Sequence, residues 1–178
     1  MRVAGVLGVA AGLAVAGVAA AGPSGAAPGV AATAAHKHPK AHHHRGPIPV
    51  VVHAKTLKVE PVIRADKAKP PKKVLVKNLV TGTGAAATAT STVTVKYVGA
   101  NYKTGKDFTV ATWQSGQATS FTLHHVVAGF SSGLVGMKVG GRREIVIPSK
   151  YGYGKAHVGP IKPYETLVFV VDLEAVSP

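Results

Sequence analysis

The side chains in this chain that could do chemistry form two groups, a histidine tract near the front and a set of aromatic rings in the second half. His36, His38, His42, His43 and His44 place five of the nine histidines within nine residues. Short tracts of neutral imidazoles can ligate transition metals. No Cys, Asp or Glu joins the tract, so it defines no coordination geometry. A flexible, pH-dependent basic spacer is the plainer reading, and neither a metal site nor a cofactor is expected. The rings are the five Tyr, four Phe and one Trp of the chain, all of which lie between Tyr97 and Phe169. Each of them, taken alone, would simply fill volume in a core.

What is missing narrows the chemistry further. There is no phosphate loop, no HExxH and no GxSxG, and the five acidic residues beyond position 78 are scattered. Hydrolytic and phosphoryl-transfer chemistry are therefore poorly supported. Cysteine is absent, which excludes a disulfide scaffold, a thiolate metal site and a cysteine nucleophile.

A length of 178 residues allows one folded domain with chain to spare. Arg2 precedes an uncharged stretch from Val3 to Ala21 that ends in small residues before Gly22 and Pro23. A positive start, an apolar middle and a small-residue end make a secretory signal peptide over residues 1–21. An uncleaved anchor competes, because 19 apolar residues approach the roughly 20 that span a bilayer. Only two of the 19 are Leu and none is Ile or Phe, which favours export, either secreted or associated with the cell envelope.

Residues 22–73 are dominated by Ala, Pro, His and Lys without a sustained period of 2 or 3.6, so they read as a disordered basic tether. Residues 1–78 hold 12 basic and 2 acidic side chains, against 9 and 5 in the remainder. Lys67, Lys69, Lys72, Lys73 and Lys77 surround Pro70 and Pro71. Basic runs can bind nucleic acid, but no aromatic side chain is interleaved to stack on bases, so no nucleic acid is expected. The run reads first as a solubilising linker, with an anionic envelope surface as the alternative partner of the basic tether.

From Val74 onward short β-branched runs alternate with Gly-containing turns. Val93, Val95 and Tyr97 alternate with Thr94 and Lys96, the period of a half-buried strand. Lys103, Thr104 and Gly105 supply a turn, and Lys106 to Val110 returns as a second strand of a hairpin. Arg143, Ile145 and Ile147 share a face, and Pro148 ends that strand because it has no N–H to donate. Leu167, Phe169, Val171 and Leu173 lie on one side of a last strand, with Asp172 and Glu174 on the other. Val126, Val127, Phe130 and Leu134 fall near helical spacing, though Gly129 and Gly133 each cost about 1 kcal/mol relative to Ala. The expected fold is α+β, a twisted antiparallel sheet with one short helix over residues 74–178, preceded by a disordered N-terminal region.

The strings VLVKNLVTGTG, VTVKYVGANYKTGKDF, VVAGFSSGLVGMKVGGRREIVIPSKYGYG and ETLVFVVDLEAV resemble, in order and spacing, the FKBP-type peptidyl-prolyl cis-trans isomerases. The resemblance covers residues 74–178 and implies a half-barrel sheet wrapped around the helix, with a shallow apolar pocket between them. It implies a pocket built from Tyr97, Phe108, Val126, Val127, Phe130 as the floor, and Ile161 and Phe169 at the sides. Tyr153 would lie on the rim with its hydroxyl available to a substrate carbonyl, and the Val127 N–H would be a second donor. His157 matches a histidine of the family's flap loop, which here is one residue shorter, and Trp113 would be structural or on the rim.

Two residues depart from the family pattern. Phe130 stands where Trp is frequent, and Thr109 stands where an Asp carboxylate normally faces the bound peptide. The resemblance therefore implies a prolyl isomerase, a monomer acting on proline-containing exported clients. Thr109 supports the competing expectation, a catalytically weak or inactive peptide-binding module held at the envelope by its basic tail.

Overall fold

The computed structural model describes residues 46–109, 113 and 116–178. The signal peptide expected over 1–21, the tether over 22–45 with its His tract, and Val110 lie outside the described residues.

Five strands form one antiparallel sheet: β3 (Leu75–Val80), β4 (Thr92–Asn101), β5 (Thr119–Thr122), β6 (Arg142–Ile147) and β7 (Leu167–Ser177), in the order β3-β6-β7-β4-β5. The central pair β4–β7 runs ten residues in register, from Thr92↔Ser177 to Asn101↔Leu167, with a bulge between Thr94 and Val95. Alternation sends Val93, Val95, Tyr97, Ile145, Ile147, Leu167, Phe169, Val171 and Leu173 to one face. There they meet Phe130 and Leu134 of the single helix, α1 (Ala128–Leu134).

α1 survives its two glycines because they let it approach the sheet. A Cβ on Gly129 would collide with Ile147 Cγ2, and one on Gly133 would sit 2.5 Å from Ile145 Cγ2. Close packing thus offsets the weak propensity. At the far end of α1, Arg143 Nη1 donates to the Gly133 carbonyl at 2.8 Å and the Val135 carbonyl at 3.2 Å, satisfying groups a helix end leaves without partners.

The expected return strand from Lys106 to Val110 is corrected. Among its described residues only Asp107 bridges to β4, opposite Ala100, with Phe108 N–H donating to Gly99 O at 3.0 Å. The strand that pairs along the first half of this edge is β5, from Thr92↔Thr122 to Val95↔Thr119. Thr92–Thr122 and Thr94–Ser120 hydroxyl pairs at 3.2 and 3.0 Å cross that ladder.

The tether is also corrected over residues 46–73. Two short strands, β1 (Val51–Val52) and β2 (Val62–Ile63), pair antiparallel, and Ile48, Val51 and Ile63 pack on the outer face of the sheet against Val98, Ala100, Val146, Val168 and Val170. The turn between them is held by Arg142, which is fully buried. Its guanidinium donates to the carbonyls of His53 (2.7 Å), Thr56 (3.2 Å), Leu57 (3.5 Å) and Val59 (3.1 Å) and to both oxygens of Asp172 (2.5 and 2.8 Å). Low periodicity in the sequence hid this layer, because an irregular segment makes its contacts through carbonyls that no side-chain pattern records.

Candidate functional site

Between α1 and the inner face of the sheet, Tyr97, Phe121, Val126, Val127, Phe130, Tyr153 and Phe169 line a depression with about 350 Å³ of free space, counting its open mouth. Phe130 is its hub. Its ring meets Phe169 at 5.1 Å, Phe121 at 5.9 Å and Tyr97 at 6.4 Å between centroids, all edge to face. The elements explain the arrangement: β4 delivers Tyr97, β7 delivers Phe169 two positions along the register, β5 delivers Phe121, and the start of α1 delivers Phe130.

The hydroxyls in this site stay protonated through neutral pH. Burial pushes Tyr97 up to about 12, with the negative charges of ionised Tyr153 and Asp107 adding to the rise. Burial also raises Tyr153. Each phenol is therefore a donor rather than a base. Val127 caps α1, its carbonyl accepting Phe130 N–H at 2.9 Å and Ser131 N–H at 3.1 Å. Its own N–H precedes the first turn, where amides have no partner within the helix.

A family description, FKBP-type peptidyl-prolyl cis-trans isomerase, matches residues 84–174 of the chain. This chain belongs to that family. It is 37% identical over 114 residues to a probable FK506-binding protein of Corynebacterium glutamicum, covering 64% of this chain and 96% of the relative. It is 42% identical over 121 residues to an FK506-binding protein of Streptomyces anulatus, covering 66% and 97%. Among solved structures, FkpA from Escherichia coli superposes with a TM-score of 0.55 at 38% identity over 59% of this chain and 48% of the solved chain, and by sequence this chain spans about a third of FkpA, 35%. A peptidyl-prolyl cis-trans isomerase from Pseudomonas syringae superposes with a TM-score of 0.53 at 37% identity, over 59% and 76%.

In this FKBP-family chain six of the residues singled out from sequence, Tyr97, Val126, Val127, Phe130, Tyr153 and Phe169, surround one hollow. The other four stand apart from its lining. Phe108 is a second layer, edge to face with Phe169 at 5.6 Å. Ile161 is only 2% exposed, inside the core. His157 is exposed on the loop after Tyr153. Thr109 turns its hydroxyl to the Gly99 N–H rather than into the hollow. Trp113 lies on the opposite face of the sheet, its ring 5.3 Å from the Arg142 guanidinium and 5.6 Å from Lys96 Nζ, so it is structural and not part of the rim.

Sequence reasoning missed Phe121. Its signal was the alternation of Phe121 and Leu123 with Ser120 and Thr122, which marks a half-buried strand. The sequence pattern instead points to Lys106–Val110 as the strand beside β4. Among the described residues no three His, Cys, Asp or Glu side chains gather closely enough to hold a metal ion. No described helix is long and apolar enough to cross a membrane.

Proposed function

We propose that this chain is a peptidyl-prolyl cis-trans isomerase that accelerates folding of exported, proline-containing polypeptides, with Tyr97, Phe121, Val126, Val127, Phe130, Tyr153 and Phe169 as its site. The carrying observation is the open, ring-lined hollow with a protonated tyrosine among its lining residues.

Rotation about an X-Pro bond breaks amide resonance against a barrier of about 18–20 kcal/mol, so exchange takes tens to hundreds of seconds. No covalent bond is made or broken, so neither a nucleophile nor a metal is required. A twisted amide has less charge separation than a planar one. Apolar walls that strip water from the prolyl carbonyl therefore favour the transition state over the ground state. Tyr153 and the Val127 N–H supply donors that hold the chain while it turns. Export through residues 1–21 sets the class of client.

A second reading, peptide binding without catalysis, is favoured by the hydroxyl of Thr109 where the family has a carboxylate. The Asp107 carboxylate beside it, bonded to Thr109, weighs toward the enzyme. A proline-limited refolding assay separates the two. Acceleration above background supports isomerisation; a folded chain that binds prolyl peptides without acceleration leaves only the binder.

A further inference from the structure

The layer formed by residues 46–73 has an outward side that the pocket does not use. In β1 and β2 the register pairs Val51 with Ile63 and Val52 with Val62. Ile63 is buried and Val51 packs inward, so alternation turns Val50, Val52 and Val62 outward. Val50 is 43% and Val62 49% exposed, and in the turn between the strands Leu57 is 36% and Val59 39% exposed. Four of the seven large apolar side chains left exposed among the described residues thus sit in this one layer.

Arg142 fixes that turn from beneath. It takes the carbonyls of Leu57 and Val59 inward while their side chains remain exposed. The same segment carries the exposed cations Lys55, Lys58, Arg64, Lys67, Lys69, Lys72 and Lys73. The acidic residues of the layer are Glu60 and Asp66, and Asp66 is buried.

We propose that this layer is a docking face for an anionic lipid surface. Aliphatic side chains interleaved with cations satisfy both forces that recruit a protein to such a surface, insertion at the headgroup boundary and attraction to negative headgroups. A nucleic acid would call for stacking rings, and the layer carries no Phe, Tyr or Trp between residues 46 and 73. The geometry gives the contact a consequence. The layer covers the face of the sheet opposite the one that bears the pocket, so a molecule seated on lipid would hold its pocket toward solvent. This proposal stands apart from the isomerase reading and survives or fails independently of it.

Co-sedimentation of the full chain with vesicles tests it, comparing phosphatidylcholine alone with phosphatidylcholine mixed with phosphatidylglycerol. The expected result is salt-sensitive binding to the mixed vesicles only. Two triple variants, Leu57→Ser/Val59→Ser/Val62→Ser and Lys58→Glu/Lys69→Glu/Lys72→Glu, should each weaken that binding at least about tenfold. All six positions are exposed, and circular dichroism melts verify that the variants fold. Binding of the wild type to both vesicle types alike, or to neither, overturns the proposal. So does full binding by both variants, which would place the contact in residues 1–45. Loss in the charge variant alone, with heparin displacing the wild type, would also overturn it in favour of a general polyanion site.

Discussion

The carboxylate of Asp107 accepts both the backbone N–H and the hydroxyl of Thr109, each at 2.7 Å, and the same hydroxyl accepts the Gly99 N–H at 3.0 Å. Thr109 thereby replaces a backbone carbonyl on the edge of β4, where Phe108 has just donated to Gly99 O. Asp107, two residues before Thr109, supplies a carboxylate at this corner, and its charge contributes to the rise in Tyr97.

Removing either end of this chain of hydrogen bonds should loosen the wall behind Phe169. Thr109→Val and Asp107→Ala are each expected to lower kcat/KM on a prolyl peptide by about tenfold, the scale of one charge-assisted hydrogen bond. Asp107→Asn keeps an acceptor and should recover most of the loss. Equal activity in Thr109→Val and wild type would show that the relay does not shape the site.

Gly99 faces the ring stack with no room to spare. A Cβ there would stand 2.7 Å from Phe108 Cε2, 2.8 Å from Phe169 Cε1 and 2.9 Å from Thr109 Cγ2. Gly99→Ala must displace rings rather than a flexible tip, at a cost of about 1–3 kcal/mol. Denaturant unfolding should report that cost, and prolyl-peptide affinity should fall with it. A variant of unchanged stability and affinity would mean that the rings move freely.

Phe130 and Tyr153 separate fold from function. Phe130 is 5% exposed and touches three other rings, so Phe130→Ala should cost about 3–5 kcal/mol in stability as well as the floor of the site. Tyr153 is half-buried, and Tyr153→Phe removes only its hydroxyl. Its melting temperature should stay near wild type while kcat/KM drops several-fold. An unaltered rate in Tyr153→Phe would dismiss the hydroxyl as a donor.

The ring set was legible because strand alternation and the spacing around α1 leave a trace in side-chain type: Tyr97, Phe130 and Phe169 each occupy inward positions of their elements. Asp172 shows the limit of that reading. Alternation correctly put it opposite Leu173, but not that Arg142 and the layer of residues 46–73 bury it at 7% exposure. Contacts made by backbone carbonyls, such as those Arg142 collects, depend on where an irregular segment lies in space. Composition alone read that segment as a tether.

Arg142 therefore decides whether the layer stays docked. Arg142→Ala would leave Asp172 buried without its ion-pair partner and would take the guanidinium donor from the His53, Thr56, Leu57 and Val59 carbonyls, the first two of which keep a backbone N–H, a loss of about 3–5 kcal/mol. Limited proteolysis should then cut between residues 53 and 60 well before the sheet unfolds. Wild-type resistance in that turn would mean that Ile48, Val51 and Ile63 alone hold the layer.

Glu144 supplies the pH dependence. It lies on the outer face of β6 at 1% exposure, opposite Lys77 of β3, and neither carboxylate oxygen has a hydrogen-bond partner among the described residues. Burial pushes its carboxyl up from 4.5 to about 8, with Lys77 opposing the rise and Asp66 adding to it. In the unfolded chain the group ionises near 4.5, whereas the folded chain keeps its proton until about 8. Between these values the native state binds more protons, so stability is highest below the lower value, declines as pH rises through the window and levels off above it. The decline should amount to a few kcal/mol at most. Glu144→Gln abolishes the titration and should flatten this part of the stability profile, leaving the variant more stable than wild type at pH 9. Urea unfolding of both proteins across pH 5 to 9 measures the difference, and parallel profiles would show that Glu144 reaches water in the folded state.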